Sequence, residues 1–395
     1  MSDLGPGTAE EVGFDPARIR LIEEKAAEWI AVGRMPCLSL LVARHGKVVL
    51  QQTWGKQTAA ADSPDLTAEH VFNLASFQKP MVATVAMILV DEGILSLNRP
   101  VREYIPEIVQ EGTDAILVHH LLTHTSGYMD VDVFPEVMQA REAGVPDPEV
   151  DESVQSPIME RLLQKIYQVS PRKRPGERNI YSSVNPTILA EIIRRLESKR
   201  LAAVAEERLF QPVGMTSTWL RLPRDKDHLV VTGNVPELPW LGADQLDSSR
   251  NETGSGGGYS NATDIARLIQ MFLNGGYIDD KRILSGAAVH EMTRNQIPGI
   301  PVTNFDYIKI PEASWGLGWM VQGSYRWKYD HGALQPAGET FYHQGMGTTG
   351  AWGDRRHGIV GVYQSITGVV SRESMDMDWE FPTFQNMVTA AVIDS

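Results

Sequence analysis

Polar and apolar positions near the start of the chain follow first a helical and then a strand pattern. Residues 15–32 carry apolar side chains every three or four positions, which predicts a helix. Apolar runs follow at residues 37–44 and 47–54, and the dipeptide His45-Gly46 between them is typical of a tight hairpin. We therefore predict a helix followed by an antiparallel strand pair.

Helical patterns dominate the middle of the chain. The apolar run at residues 81–90 predicts a helix, which Gly93 should end. Further helical patterns alternate with loops that contain Pro and Gly, most clearly at residues 154–169, 186–200 and 201–210. Two segments with Pro and acidic residues, 146–157 and 235–247, are predicted to be surface loops that could border a pocket.

Strand patterns return near the end of the chain, at residues 316–322, 340–342, 350–353 and 358–365, before a last helix over residues 382–393. Because strands lie at both ends of a helical middle, we predict an α/β (α+β) fold: one antiparallel sheet built from both termini and flanked by helices, with an inserted all-helical subdomain. The predicted sheet domain comprises residues 1–96 and 232–395, and the mainly helical subdomain comprises residues 97–231.

The charge balance limits the partners of the protein. Its 395 residues include 50 Asp and Glu against 36 Lys and Arg, a formal charge of −14. Such a field repels phosphate backbones and anionic bilayers, so we expect neither a nucleic-acid partner nor a membrane partner. No run of 18 or more apolar residues occurs, which argues against a spanning helix.

Two further features bear on the compartment. The N-terminal residues lack the basic start and apolar stretch of a secretory signal, so we expect a cytoplasmic protein. The single cysteine, Cys37, excludes an internal disulfide and lies in an apolar run. It is therefore expected to be a small buried side chain rather than a reactive thiol.

The strongest chemical signal is a serine and a lysine three positions apart, Ser76 and Lys79, directly before the apolar run at residues 81–90. Side chains at this spacing share one helical face, so a helix that begins at Ser76 holds the Lys79 amine beside the Ser76 hydroxyl. A serine is a weak nucleophile until a neighbour takes its proton, and lysine can do so when burial disfavours its charged form. The pair predicts a nucleophile and its proton acceptor; a helix-capping serine and a solvated lysine are the plain alternatives.

More motifs follow this pair. They are His-Leu-Leu-Thr-His-Thr-Ser-Gly at residues 120–127, Pro-Gly-Glu at 175–177 before Tyr-Ser-Ser at 181–183, Gly-Ser-Gly-Gly-Gly-Tyr-Ser at 254–260, Ser-Trp-Gly-Leu-Gly-Trp at 314–319 and Tyr-His-Gln-Gly at 342–345. In this order they resemble the penicillin-recognising serine hydrolases, which include class C β-lactamases, D,D-peptidases, D-amino-acid amidases, class VIII carboxylesterases and some acyltransferases. The resemblance runs from about residue 36 to residue 362. It implies a β-lactamase-like fold with the active site where the sheet domain meets the helical domain.

The resemblance adds a third catalytic residue. Tyr181 matches the family tyrosine that shares protons with the serine and the lysine and can activate the water or alcohol that accepts the acyl group. The predicted catalytic set is therefore Ser76, Lys79 and Tyr181. A tyrosine that simply packs at a helix start is the plain alternative.

The resemblance also implies a strand at the edge of the pocket. His343, Gln344 and Gly345 stand where the family has Lys-Thr-Gly, and Gly345 should let this strand come close to the substrate. The backbone N–H groups of Ser76 and Met346 should form the oxyanion hole. The three strand residues, together with Ser183, are predicted to contact the substrate.

Two positions depart from the family pattern. Ser183 replaces an asparagine that donates to the amide carbonyl of acylamino substrates, and Asn185 on a helix would point about 200° away from Ser183. Gln344 replaces a threonine that often contacts a substrate carboxylate. Both changes weaken the case for β-lactams and peptides, whereas esters place no such demand on the site.

Aromatic side chains are candidates for an apolar acyl or alcohol pocket, although each is equally consistent with the core. They are Trp352, Tyr128, Trp315 and Trp319. No metal site is predicted, because His120 and His124 lie in the structural turn of the family and no Glu follows His120. The Gly-rich residues 254–258 lack the ending of a phosphate-binding loop and are predicted to form a tight loop behind the site.

The sequence therefore predicts a serine carboxylesterase of the class VIII type that acts on short or hydrophobic esters through an acyl-enzyme. An acyltransferase, a D-stereospecific amidase or peptidase, a weak β-lactamase and a penicillin-binding protein that does not turn over remain alternatives on the same scaffold. The expected partner is a small ester or amide substrate, and no cofactor is expected. The number of chains in an assembly is not indicated by the sequence.

Overall fold

A computed structural model gives the fold of the chain over residues 4–233, 242, 246, 252–304, 308–325, 332–347, 349–366 and 380–393. Its helices are α1 (Pro16–Ala31), α2 (Gln78–Asp91), α3 (Val118–Leu122), α4 (Phe134–Glu142), α5 (Pro157–Ile166), α6 (Val184–Glu197), α7 (Leu201–Ala205), α8 (Gln211–Val213), α9 (Ala262–Leu273), α10 (Gly286–Thr293) and α11 (Glu380–Thr389).

Among the described residues, the strands form one large sheet and three short pairs. The strands are β1 (Gly5–Pro6), β2 (Cys37–Arg44), β3 (Lys47–Gly55), β4 (Phe72–Asn73), β5 (Tyr259–Ser260), β6 (Tyr277–Ile278), β7 (Lys281–Arg282), β8 (Val302–Asn304), β9 (Ile308–Ile310), β10 (Met320–Val321), β11 (Thr340–Gln344), β12 (Thr349–Asp354) and β13 (Ile359–Ser365). The large sheet has the order β1-β3-β2-β13-β12-β11-β10, and its pairs are antiparallel except for β1 with β3. The predicted antiparallel sheet is confirmed, and strands from the two ends of the chain meet where β2 pairs with β13.

Helices cover both faces of this sheet. All eight residues of β2 are buried, as expected of a strand with a core on each side. Leu41 and Ala43 face one core, which contains residues of α2, α6 and α9, while Leu40 and Val42 face the other, which contains residues of α1 and α11. The first of these cores extends into the helical middle of the chain and so joins the sheet to the helices that carry part of the site.

Local patterns predicted several elements closely. The first helix, the hairpin strands and the turn at His45 and Gly46, both at positive φ (49° and 76°), lie where the pattern indicated. Helix α2 is followed by Gly93, at a φ of 74°, whose N–H bonds to the Val90 carbonyl. The predicted division into domains at residues 96 and 231 stays a prediction.

Two predicted elements are shorter in the structure, and one prediction falls mostly outside the described residues. Only Met320–Val321 of the predicted strand at residues 316–322 joins the sheet, because Gly318 turns the chain at a φ of 85° against α2. The last helix ends at Thr389 rather than residue 393, since Val392 leaves it to pair with Phe14. The predicted loop at residues 235–247 lies outside the described residues except for residues 242 and 246.

No helix among the described residues is both long enough and apolar enough to cross a bilayer.

Candidate active site

Ser76 lies in a single 3-10 turn, Ala75–Phe77, that leads directly into α2. The predicted nucleophile therefore lies just before the α-helix rather than at its first position. Lys79, in the first turn of α2, still reaches it: the Lys79 amine lies 2.9 Å from the Ser76 hydroxyl. The spacing of the two residues in the sequence thus predicted their contact.

The turn that carries Ser76 is held in an unusual conformation. Ala75 has a φ of 43°, in the left-handed region that non-glycine residues seldom adopt. Its N–H donates to the Asn73 side chain at 2.7 Å. A Cβ atom on Gly345 would lie 2.1 Å from the Leu74 carbonyl oxygen, and one on Gly256 would lie 3.1 Å from that of Ala75. Two glycines therefore let the end of β11 and the Gly-rich loop close on the turn from both sides.

Lys79 is buried, with 4% of its surface exposed, and three groups surround its amine. Besides Ser76, it contacts the Ser255 carbonyl oxygen at 2.9 Å. It also lies 4.9 Å from the centre of the Tyr181 ring, within the range of a cation–π contact. The structure thus brings the predicted catalytic set of Ser76, Lys79 and Tyr181 together in one place.

Tyr181 is positioned by the turn at residues 120–127. The Ile180 N–H donates to the His124 carbonyl at 2.7 Å, and the Asn179 side chain donates to the Thr123 carbonyl at 2.8 Å. The Tyr181 ring packs on the rings of His124 and Trp315, with centroids 4.8 and 5.7 Å away. The motif at residues 120–127 therefore acts as a support for the tyrosine.

His124 is a neutral acceptor in this support. The Ser182 N–H and the Asn185 amide both lie against its Nδ1, at 3.2 and 3.1 Å, so Nδ1 accepts and the proton resides on Nε2. Burial lowers its pKa well below the usual value, and the nearby Lys79 lowers it further. A neutral ring places no positive charge beside Lys79.

Ser183 and Asn185 separate at the start of α6. The Ser183 N–H donates to the Asp130 carboxylate at 2.7 Å, and the Ser182 hydroxyl donates to the same oxygen at 2.7 Å. Asn185 is fully buried, and its side-chain oxygen accepts from the Ser126 hydroxyl. Because both ends of the Asn185 amide are bound inside the protein, Asn185 does not replace the missing family asparagine.

His343 is buried and neutral as well. The His343 Nδ1 donates to the Gln344 carbonyl at 2.8 Å, so the Nε2 atom is unprotonated and carries a lone pair. Among the described residues, this Nε2 has no hydrogen-bond partner. Burial, together with the nearby Lys79, lowers the pKa of His343 to about 3. The residue that stands where the family has a cationic lysine therefore carries no charge.

The predicted oxyanion hole combines the backbone N–H of Ser76 with that of Met346, two residues after the end of β11. Within the part of the chain that the structure describes, no residue accepts a hydrogen bond from the backbone N–H of Ser76 or of Met346. The Met346 side chain is exposed, and Gln344 is half-buried. Among the described residues nothing competes for these two N–H groups, and their role as an oxyanion hole stays a prediction.

The aromatic candidates occupy different places. Trp352 has no exposed surface and packs on Phe381 and Phe384 of α11, in the core on the opposite face of the sheet from Leu41 and Ala43. Because side chains alternate along a strand, Trp352 and its neighbour Tyr342 face that core while His343 faces the site. We therefore correct Trp352 from a pocket residue to a core residue.

Tyr128 and Trp319 belong to the main core, where they are 2% and 0% exposed. The prediction that Tyr128 contacts substrate is corrected in the same way, because its ring lies among apolar side chains of the helical region. Trp315 alone of the four candidates lies against Tyr181 and His343, 6.1 Å from the latter between ring centres.

The Gly-rich residues 254–258 form a tight loop, since a Cβ atom on Gly254 would lie 2.0 Å from the Pro186 carbonyl oxygen. This loop supplies the Ser255 carbonyl to Lys79. His120 accepts from the Leu117 N–H at 3.1 Å, and the described residues contain no group of three side chains suited to a metal.

Three contributors to the site were not predicted: Asp130, the Ser255 carbonyl, and Gln78, whose side-chain amide bonds to the backbone of Thr253 and Gly258. Gln78 had a signal, because it is a polar residue at the start of an otherwise apolar run. The other two depend on contacts between segments far apart in the chain, for which no local pattern exists.

The sheet, the helical layers and the contact of Ser76 with Lys79 are those of the β-lactamase-fold serine hydrolases. The chain belongs to the Beta-lactamase family, whose model matches residues 20–379. A protein of Salmonella agona (strain SL483), provisionally described as a D-alanyl-D-alanine carboxypeptidase, is 25% identical over 376 residues, which cover 87% of this chain and 81% of that protein.

Solved structures of similar fold include a penicillin-binding protein homologue from Caulobacter crescentus, with a TM-score of 0.74 and 22% identity over 96% of this chain and 99% of that one. A family VIII carboxylesterase has a TM-score of 0.72 and 22% identity over 96% and 98%. At these identities the two structures establish the fold and leave the substrate open.

Proposed function

We propose that this protein is a serine carboxylesterase that hydrolyses neutral esters with short or moderately hydrophobic groups through an acyl-enzyme. One observation carries the proposal: Lys79 bonds to Ser76 beside Tyr181, while the neighbouring His343 is buried and neutral. The site therefore has the means to activate a nucleophile and lacks, at His343, a cation to bind a charged substrate.

The nucleophile is activated through two contacts of Lys79. The Lys79 amine lies within hydrogen-bond distance of both the Ser255 carbonyl and the Ser76 hydroxyl. A neutral amine that donates an N–H to the Ser255 carbonyl can accept the Ser76 proton on its lone pair. The Ser76 oxygen then attacks the ester carbonyl and Lys79 takes its proton. The N–H groups of Ser76 and Met346 receive the oxyanion, the alcohol leaves with a proton, and water completes the cycle with Lys79 and Tyr181 as proton carriers.

The substrate class follows from charge. A substrate that bears a carboxylate, such as a β-lactam or a peptide with a free C-terminus, gains from a cation at its binding site. His343 has a pKa of about 3 and stays neutral near pH 7, and Gln344 beside it is neutral as well. These two side chains support an uncharged substrate.

Amide substrates are disfavoured by a second observation. The asparagine that would donate to an amide carbonyl is replaced by Ser183, and Asn185 is already bonded to Ser126 and His124. A buried amide group without a partner is costly, so an acylamino substrate would gain little here.

A substrate panel tests the proposal. The protein would be given p-nitrophenyl butyrate, a chromogenic cephalosporin and a D-amino-acid p-nitroanilide, each with and without an added alcohol. We expect ester turnover to exceed that of the other two by at least about 100-fold in kcat/KM, which corresponds to about 2.7 kcal/mol in transition-state binding.

Matched variants identify the nucleophile. Ser76→Ala should lower ester turnover by more than about 10³-fold, whereas Ser153→Ala, at an exposed loop serine, should not change it. Faster cleavage of the anilide would make the protein an amidase, and a dominant ester product in added alcohol would make it an acyltransferase. A single stoichiometric burst would reject turnover altogether.

A further inference from the structure

Gln78 lies between the proposed nucleophile and its lysine, at the first position of α2, and has no exposed surface. Both ends of its side-chain amide are bound to the Gly-rich loop. The nitrogen donates to the Thr253 carbonyl, and the oxygen accepts from the Gly258 N–H at 2.8 Å. A buried glutamine is costly unless its polar atoms have partners, and here both are satisfied by the same loop.

The residues between these two anchors contact the catalytic pair. The Ser255 carbonyl oxygen accepts from the Lys79 amine at 2.9 Å. Gly256 lies against the nucleophile turn, because a Cβ atom built on Gly256 would be 3.1 Å from the Ala75 carbonyl oxygen. Consecutive residues of α2, Gln78 and Lys79, therefore bind one loop at its ends and in its middle. The position of the Ser255 carbonyl is tied to the same helix that carries Lys79.

Other contacts hold the flanks of the loop without crossing it. The Ser156 hydroxyl donates to the Glu252 carbonyl at 3.0 Å, before the first anchor. The Leu74 N–H donates to the Gly258 carbonyl at 2.7 Å, at the second anchor. Within the loop, the Thr253 and Ser255 hydroxyls lie 3.2 Å apart and the Thr253 hydroxyl donates to the Gly256 carbonyl at 3.3 Å. None of these contacts joins Thr253 to Gly258, whereas the Gln78 side chain binds both.

We propose that Gln78 is a positioning residue for Lys79: its side-chain amide clamps residues 253–258 so that the Ser255 carbonyl orients the Lys79 amine towards the Ser76 hydroxyl. This inference rests on the proposed roles of Ser76 and Lys79 and adds a residue that touches neither substrate nor reacting atoms. The Ser255 carbonyl accepts a hydrogen bond from one N–H of the neutral Lys79 amine. This contact fixes the orientation of the amine so that its lone pair is directed at the Ser76 hydroxyl.

Two variants of Gln78 separate positioning from packing. Q78M keeps the length of the side chain and removes both anchors. Q78E keeps the acceptor for Gly258 N–H, removes the donor to Thr253 and adds a carboxylate near Lys79. Q335M is the matched control, because Gln335 is also buried and its amide donates to the Gln385 carbonyl at 3.1 Å and the Thr389 hydroxyl at 2.8 Å, near the end of α11.

Reactivity of the serine is the readout, measured as the second-order rate of labelling by a fluorophosphonate, in which the Ser76 oxygen displaces fluoride from phosphorus. We expect Q78M to label about 10 to 100 times more slowly than the unchanged protein, because small displacements of catalytic groups cost rates of this order. With an ester substrate, kcat should fall while KM changes less than threefold. Q335M should label at the unchanged rate even if its melting temperature falls as far as that of Q78M.

The pH profile gives a second readout that a purely structural role would not move. A carboxylate in Q78E favours the charged amine, so the acid limb of the labelling rate should shift to higher pH by about one unit. If Q78M does not fold, as judged by circular dichroism, Q78E alone decides. Equal labelling rates for the folded Gln78 variants and Q335M, with unshifted profiles, would overturn the inference. Failure of the unchanged protein to label at Ser76 would instead overturn the proposed function.

Discussion

Gly345, directly after β11, lies against the turn that carries the proposed nucleophile, Ser76. Its missing side chain leaves room for the Leu74 carbonyl, to which a Cβ atom would approach within 2.1 Å. No real Cβ atom tolerates such a contact with backbone, so one of the two segments would have to move. The position of the Ser76 turn therefore depends on the lack of a side chain at Gly345, which lies 269 positions further along the sequence.

Gly345→Ala should disturb the site more than the fold. We expect a loss of about 1–3 kcal/mol in the free energy of unfolding from overpacking, and a fall of about 100-fold in ester kcat/KM because the Ser76 turn is displaced. Urea denaturation and steady-state kinetics measure the two effects. Gly286→Ala is the control, since its nearest neighbour would lie 3.8 Å away. Unchanged kinetics in Gly345→Ala would mean that β11 does not position the turn.

Single residues also show the limits of the sequence pattern. Ser76 and Lys79 were predicted to meet because three positions on a helix fix their separation. Trp352 was misplaced because its motif gives no indication of which sheet face an aromatic side chain occupies. That choice depends on strand register, which pairs Trp352 with Tyr342 and directs both towards α11.

At the scale of elements, the site is built where helix starts meet loops. Helix α6 begins next to Tyr181, and the Asp130 carboxylate accepts from the Ser183 N–H in place of a capping side chain of its own. Two residues after Asp130 in the chain, the Asp132 carboxylate accepts from the Arg172 side chain and ties the same segment to residue 172. The start of α6 is therefore capped by another segment, so the position of Tyr181 depends on how these segments pack.

A buried ion pair anchors the Gly-rich loop at its start. Arg200 donates to the Glu252 carboxylate at 2.9 Å, and the side chains are 8% and 6% exposed. The Ala202 N–H, at the start of α7, donates to the other carboxylate oxygen at 3.1 Å. Glu252 thus connects α7 to the loop that contacts Lys79.

Arg200→Met should therefore destabilise the protein strongly. Removing one partner leaves the Glu252 charge buried, which costs about 3–5 kcal/mol in the free energy of unfolding. The midpoint of urea denaturation measures this cost. Lys56→Met removes an exposed pair with Asp65, whose side chains are 56% and 83% exposed, and should cost less than about 1 kcal/mol. Similar midpoints for the two variants would contradict the assignment of a structural role to Arg200.

At the scale of the whole molecule, burial decides the charge of the site. His343, His124 and His120 all have lowered pKa values, to about 3 for His343 and about 4 for His120, mainly because burial disfavours the charged ring. Above pH 6.5 each ring is neutral in the folded and the unfolded chain. Below it, the unfolded chain binds protons that the folded chain does not, so stability falls as the pH falls.

His343→Gln should reduce this pH dependence. Between pH 6.5 and about 3, one such histidine contributes a slope of at most about 1.4 kcal/mol per pH unit to the free energy of unfolding, and the variant should lose that share. Urea denaturation over this range compares the slopes, whatever the absolute stability of the variant. His290→Gln, at an exposed position in α10, should keep the slope of the unchanged protein. A variant slope equal to the unchanged one would show that His343 is protonated equally in both states.

Local order in the sequence determined the first helix, the hairpin, the helix after Ser76 and the contact of Ser76 with Lys79, because residues within one turn or one hairpin are held together by the geometry of the backbone itself. The motifs in their order determined the family and, from it, the presence of Tyr181 near the pair. The tertiary structure alone decided that the Lys79 amine is held by the Ser255 carbonyl, 176 positions away in the sequence. It also decided that the Asn185 side chain is bound by Ser126 and His124. Finally, it decided that His343 is neutral. Burial and contacts between distant segments arise only when the layers pack, and no local pattern of side chains encodes them.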